Sequence, residues 1–141
     1  NPVIREMGTI GGAVSHFDPA ADYPSALVAV DAEIEIARKG SRHSLPAAAF
    51  FLDWYTTVLQ PGDLVTAVVL PPQPAGSTGV HDKLAKVQGD MGIAMVSLVL
   101  AEAGGFYDYL AVSVGGCGPT PIRLPDKERA LIGPAPWTGK Q

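Results

Sequence analysis

Proline and glycine punctuate this chain so densely, supplying 13 and 16 of its 141 residues without any repeat, that it must be assembled from many short elements joined by tight turns. A hydrophobic content of 47% is enough to bury a real core, at the size of one average domain or two small lobes. The net charge of −4 argues against a nucleic-acid footprint, which would need a basic face. No run approaches the ~20 apolar residues needed to cross a bilayer, and no charged-then-apolar leader is visible. A soluble protein is expected. The single cysteine, Cys117, gives no internal disulfide and no metal framework, in keeping with a reducing cytoplasm.

Periodicity places the elements. Pro24 to Val30 reads as a short apolar helix, with Asp22 as a possible cap and Pro24 suited to the first turn. Residues 32–37 alternate strictly, which puts Ile34 and Ile36 on one face of a half-buried strand and Glu33 and Glu35 on the other. Lys39-Gly40-Ser41 turns the chain into a second strand through His43 and Leu45. Pro46 can open a helix from Ala47 to Tyr55, with Phe50, Phe51 and Trp54 on its apolar side. Pro61-Gly62-Asp63 is a turn, and the β-branched, almost wholly apolar run Leu64 to Leu70 reads as an internal strand.

Pro71 to Gly79, stiffened by prolines at one end and loosened by small residues at the other, is the best linker. Three strands are expected beyond it, at about Asp82 to Val87, Met91 to Ala101 and Phe106 to Val114, the last two joined at Glu102-Ala103-Gly104-Gly105. Ile93 to Leu100 could also be a buried helix, but the turn and β-rich run behind it favour a strand. Arg123 to Leu131 then reads as a helix, ahead of a loop-like run from Gly133 to Gln141.

The stretch richest in chemistry is Met7-Gly8-Thr9-Ile10-Gly11-Gly12-Ala13, followed by Asp18-Pro19-Ala20-Ala21-Asp22-Tyr23-Pro24. Paired glycines let backbone amides approach an anion with no Cβ in the way, and a glycine turn can aim several N–H groups at one pair of phosphates. Thr9 adds a hydroxyl at the lip. Taken alone, the pair reads better as a turn ahead of a short helix. Its surroundings change that balance. With Leu59 to Val65, Lys83-Leu84-Ala85-Lys86, Gly89-Asp90-Met91 and Gly115 to Pro121, it closely resembles the FAD-binding subunit of the molybdenum hydroxylases. That is the family of the carbon monoxide dehydrogenase medium subunit and the flavin domain of xanthine dehydrogenase. The landmarks keep their order and cover nearly the whole chain.

The resemblance implies an α+β fold. Residues 1–70 would be the second part of an FAD-binding lobe of the vanillyl-alcohol oxidase (PCMH) type, and 71–79 a linker. Residues 80–141 would form a small antiparallel-sheet plus helix lobe of the carbon monoxide dehydrogenase flavoprotein C-terminal type. Both lobes are expected to be incomplete, because the likeness starts inside the flavin-binding region, past an earlier lobe with a second glycine-rich loop, and further helix is expected after Leu131.

By the same resemblance, Thr9, Ile10, Gly11 and Gly12 would lie along the FAD diphosphate. Asp22 would bond ribityl or ribose hydroxyls, though it is also placed to cap a helix. Leu64 and Val65 would pack near the adenine or flavin ring, and also read as core strand. Lys83 would steady the diphosphate or reduced flavin, or lie solvated. Asp90 and Met91 would belong to a loop beside the isoalloxazine. The chain departs from the family pattern twice. Ala13 replaces a common Asn, which would weaken flavin binding by roughly 1 kcal/mol if that side chain donates a hydrogen bond. Met91 replaces an aromatic of many relatives, which leaves the oxidant preference open. Asp18 reads as structural, His16 as a surface or packing residue and Cys117 as a small residue in a tight loop. His16, Asp18 and Asp22 offer too few convergent ligands for a metal.

The implied role is to carry FAD between two [2Fe-2S] clusters on an iron-sulfur small subunit and an acceptor such as NAD, quinone or oxygen, within a cytoplasmic hetero-oligomer. Substrate would be oxidised at molybdopterin on a large subunit. No catalytic acid or base is needed here, because the cofactor carries the chemistry. An isolated fragment is expected to be inactive as an oxidoreductase. The rival readings are a flavin-free interaction domain derived from such a subunit and an independent flavin oxidase, for which the chain is too short.

Overall fold

Strict alternation at residues 33–36 produces the strand at the centre of the first sheet. In the computed structural model, which describes residues 2–134, strand β1 (Glu33–Arg38) buries Ile34 and Ile36 completely. It pairs antiparallel with β2 (Ser41–Pro46) on one side and β5 (Leu64–Val69) on the other. The Gly40 turn at φ +80° closes the β1–β2 hairpin.

Three short helices precede that sheet: α1 (Pro2–Met7), α2 (Ile10–His16) and α3 (Asp22–Ala29). Helix α2 packs on β5. Val14 and Phe17 enter a core completed by Leu27, Val28, Ala32, Ile34, Ile36, Ala47, Phe50 and Phe51. The second sheet has the order β10-β8-β7-β6, from β6 (Thr78–Leu84), β7 (Ala94–Ala103), β8 (Phe106–Gly115) and β10 (Gly133–Pro134). The short β9 (Ile122–Arg123) also pairs with β8. Strand, not helix, is therefore the conformation of residues 94–100. The fold is α+β with antiparallel sheets, as expected.

Helix α3 also packs on β7 and β8, so it contacts the second sheet while its own apolar residues join the first core. Arg123 of β9 holds this arrangement. It donates to Val28 O at 3.0 Å and to the Asp31 carboxylate at 2.7 Å, at the C-terminal end of α3. It also grips Glu128 of α5 (Pro125–Leu131) at 2.8 and 3.0 Å. Glu128 in turn accepts the Val112 N–H at 2.7 Å.

Several local expectations are corrected. Residues 47–55 are not one helix: α4 (Ala47–Phe50) stops after four residues and a hairpin of β3 (Phe51–Asp53) and β4 (Thr56–Thr57) follows. Asp53 accepts the Trp54 N–H at 2.8 Å and Thr56 donates to Trp54 O at 2.9 Å, side-chain bonds that compete with a helical ladder. Trp54 is left 57% exposed instead of packing beside Phe50 and Phe51.

Strand β5 is an edge strand, not an internal one: its described partner is β1 alone, α2 lies near it, and Leu64 is 68% exposed. Strand β6 begins at Thr78, four residues before the expected Asp82, because the ten-residue β7 offers pairing partners from Ala94 to Leu100. Met91 falls in the loop before β7, and Arg123 in β9 ahead of its helix. Helix α3 starts at Asp22, two residues early, and Pro24 is accommodated within its first turn, where no intrahelical bond needs its N–H. The run from Ala135 to Gln141 lies outside the described residues.

Candidate functional site

Thr9 sets the geometry of the glycine segment. It has extended backbone (φ −120°, ψ 145°) and serves as the N-cap of α2, its hydroxyl accepting the Gly12 N–H at 3.1 Å and its carbonyl the Ala13 N–H at 3.0 Å. Gly11 and Gly12 are thus the first turn of a helix, and neither has positive φ. The expected glycine turn is corrected accordingly. Glycine is needed at 12 for another reason: a Cβ there would sit 2.8 Å from Thr9 Oγ1. With Gly12 N–H occupied by Thr9, the N–H groups of Ile10 and Gly11 open the helix with no intrahelical acceptor.

Six of the residues singled out from sequence, Thr9, Ile10, Gly11, Gly12, Leu64 and Val65, line one groove of about 530 Å³. Its remaining walls are Ser15, Leu59 and Asp63. The Leu59 to Val65 segment reaches it because Asp63 locks the turn before β5. The Asp63 carboxylate takes two 2.7 Å hydrogen bonds from Arg38 and a third, at 2.9 Å, from Gln60 N–H. The hydrogen bond from Arg38, then that from the Gln60 backbone, holds Asp63 down at about 2, against its ordinary 3.8. The Arg38 guanidinium balances this charge, and the residues present fit a diphosphate: free N–H groups at a helix start, no Cβ at Gly11 or Gly12, and apolar Ile10 and Leu64 beside them. Sequence reasoning marked Asp63 only as a turn residue and passed over Arg38. The bidentate pair spans 25 residues and left no local signal.

The other four candidates gather elsewhere on the surface. Asp22 is not a cap: the cap position is Ala21, with no side-chain hydrogen bond. Its carboxylate instead takes both bonds of Lys83, at 3.0 Å each, so Lys83 is not merely solvated. His81 faces the same carboxylate, Nε2 lying 3.4 Å from Asp22 Oδ1. Behind it, His81 Nδ1 meets Ser97 Oγ at 2.8 Å and Ser97 meets Ser25 at 2.9 Å. The loop carrying Asp90 and Met91 is tied to this neighbourhood by Gly92 N–H, which donates to Ala20 O at 3.2 Å. Asp90 accepts the Met91 N–H at 2.9 Å, and Met91 is 47% exposed. Asp18 accepts the Ala20 N–H and the Tyr55 hydroxyl, a structural role, while His16 packs against the Tyr55 ring. Cys117 is exposed.

An α+β fold in which the start of α2 and the edge strand β5 enclose one groove defines the class to be matched. Residues 1–73 match the family described as the FAD binding domain in molybdopterin dehydrogenase, and the chain belongs to that family. It is 35% identical over 130 residues to the glyceraldehyde dehydrogenase medium chain of Sulfolobus acidocaldarius, covering 92% of this chain and 46% of that one. It is 32% identical to the nicotine 6-hydroxylase medium subunit of Paenarthrobacter nicotinovorans, covering 94% and 46%. The structure superimposes on carbon monoxide dehydrogenase from Hydrogenophaga pseudoflava with a TM-score of 0.90 at 31% identity, over 98% of this chain and 48% of that chain. The chain therefore spans about half the length of the relatives it matches. FAD is the cofactor of this family. No helix among the described residues is long and apolar enough to cross a membrane.

Proposed function

We propose that this chain is a segment of the FAD-carrying medium subunit of a molybdenum hydroxylase, in which Thr9, Ile10, Gly11 and Gly12 line the diphosphate of FAD. The observation that carries this reading is the convergence of that segment with Leu64 and Val65 on one groove, across more than fifty residues of sequence. The groove's 530 Å³ falls in the ~300–1,000 Å³ range of small-molecule sites.

When bound, FAD supplies two-electron and one-electron redox chemistry and links an iron-sulfur small subunit to an acceptor such as NAD, quinone or oxygen. The residues of this chain bind and orient. The N–H groups of Ile10 and Gly11 face a diphosphate at a helix start. Leu64 and Val65 present an apolar wall to a ring. Asp22, paired with Lys83, would meet sugar or ribityl hydroxyls, and Asp90 and Met91, on the loop tied to Ala20 through Gly92, would approach the isoalloxazine. The substrate-oxidising molybdopterin belongs to a large subunit of the cytoplasmic hetero-oligomer. Residues 1–70 and 80–141 act as two lobes joined through 71–79, with the flavin between them.

Calorimetric titration of the chain with FAD tests this. The reading requires weak, saturable binding, because the chain spans about half the length of the relatives it matches. Gly11→Val, which places a branched side chain in the groove, abolishes it. No heat of binding at millimolar FAD, or undiminished binding by Gly11→Val, contradicts the reading.

A further inference from the structure

The Asp22 carboxylate is enclosed unevenly. A carboxylate offers about four lone-pair sites and an ammonium three donors. Lys83 Nζ lies 3.0 Å from each oxygen. Oδ1 also has the His81 ring against it, with Nε2 at 3.4 Å. No other described group contacts Oδ2, and the Asp22 side chain remains 48% exposed. Behind the ring, His81 Nδ1 meets the Ser97 hydroxyl at 2.8 Å. Ser97, 2% exposed, is itself held by Ser25 of helix α3, also buried. The ring is thus fixed from behind by two buried hydroxyls on β7 and α3.

What remains open is an acceptor site on Oδ2 beside the Lys83 ammonium, whose three donors are not all spent on Asp22. A hydroxyl group, which both donates and accepts, complements that pair. We propose that His81 is a positioning residue: by closing the Oδ1 side it holds the Asp22 carboxylate so that Oδ2 and Lys83 together receive a hydroxyl of the flavin nucleotide. The charged groups around His81 are Asp22 on α3 and Asp82 and Lys83 on β6. This inference rests on the FAD reading above, and it adds to it a residue and a specific oxygen.

The test is a double-mutant cycle on the chain, read by FAD affinity from amide chemical shifts and by melting temperature without ligand. Asp22→Asn is expected to weaken FAD about tenfold, the loss of a charge-assisted hydrogen bond. His81→Ala is expected to weaken it by a similar factor, and by nothing further in the Asp22→Asn background. His81→Gln, whose amide N–H reaches the place of Nε2, restores affinity. If His81→Ala fails to fold, His81→Phe, which fills the space without an N–H, gives the same loss. Unchanged affinity in His81→Ala or His81→Phe, an equal loss in the Asp22→Asn background, or no rescue by Gln overturns the positioning role. Unchanged affinity in Asp22→Asn, or no binding by the parent chain, overturns the FAD role of Asp22 itself.

Discussion

Arg38 and Asp63, 25 residues apart, meet through two parallel hydrogen bonds of 2.7 Å that fasten the turn before β5 to the end of β1. This pair fixes one wall of the groove, and it titrates. Asp63 ionises at about 2 in the fold against an ordinary value of 3.8. A depressed carboxyl stabilises the fold fully above its unfolded value, and that contribution disappears as the pH falls from 3.8 through about 2. Melting temperatures of the parent and Asp63→Asn should therefore differ most at neutral pH and converge near pH 2. A difference that stays constant over that window refutes the assignment.

A second prediction concerns the cap. A Cβ at Gly12 would lie 2.8 Å from the Thr9 hydroxyl that accepts the Gly12 N–H. Gly12→Val and Thr9→Val should each remove the cap at a cost of about 1 kcal/mol, and the double variant should lose little more than either. Full additivity in urea melts would show that Gly12 is constrained by something other than the cap.

Arg123 should matter beyond its neighbourhood, because it joins the end of α3 to Glu128 of α5. Burial alone would raise the Glu128 carboxyl, but bonds from Arg123 and the Val112 N–H outweigh it and hold the value below the ordinary range. Arg123→Ala leaves that carboxylate short of partners and should cost about 2 kcal/mol at pH 7. The loss should shrink as the pH falls below the ordinary glutamate value of 4.5, because the stabilisation of a depressed carboxyl is lost as it is protonated. A deficit independent of pH contradicts the role.

Limited proteolysis tests the two-lobe reading. Gln73 donates to Val30 O at 3.0 Å and anchors the start of the linker, whereas Ala75 and Gly76 form an exposed turn. The first cut should fall at 74–77 and slow in the presence of FAD. A first cut inside β5 or β7 excludes the division.

How much of this was legible depended on how local each determinant is. Ile34 and Ile36 announced β1 because a two-residue period needs only the strand itself. The groove's glycine segment was also visible, although whether Gly11 and Gly12 form a turn or open a helix depends on Thr9, whose hydroxyl could equally have faced solvent. The Ala47 to Tyr55 helix failed because Asp53 and Thr56 satisfy the Trp54 backbone in a hairpin, a choice that hydrophobic periodicity does not register. His81 was missed because its partners, Asp22 and Ser97, come from α3 and β7 and are brought together only by the packing of that helix on the second sheet.

The central claim is that the start of α2 and the edge of β5 together receive the flavin nucleotide. Amide chemical-shift mapping of the chain during titration with FAD tests it most directly. The account predicts the largest shifts at Ile10 and Gly11, whose N–H groups lack intrahelical acceptors, together with Leu64 and Val65 across the groove. Shifts confined to other surfaces, or the same pattern with riboflavin, which has no phosphate, would contradict it.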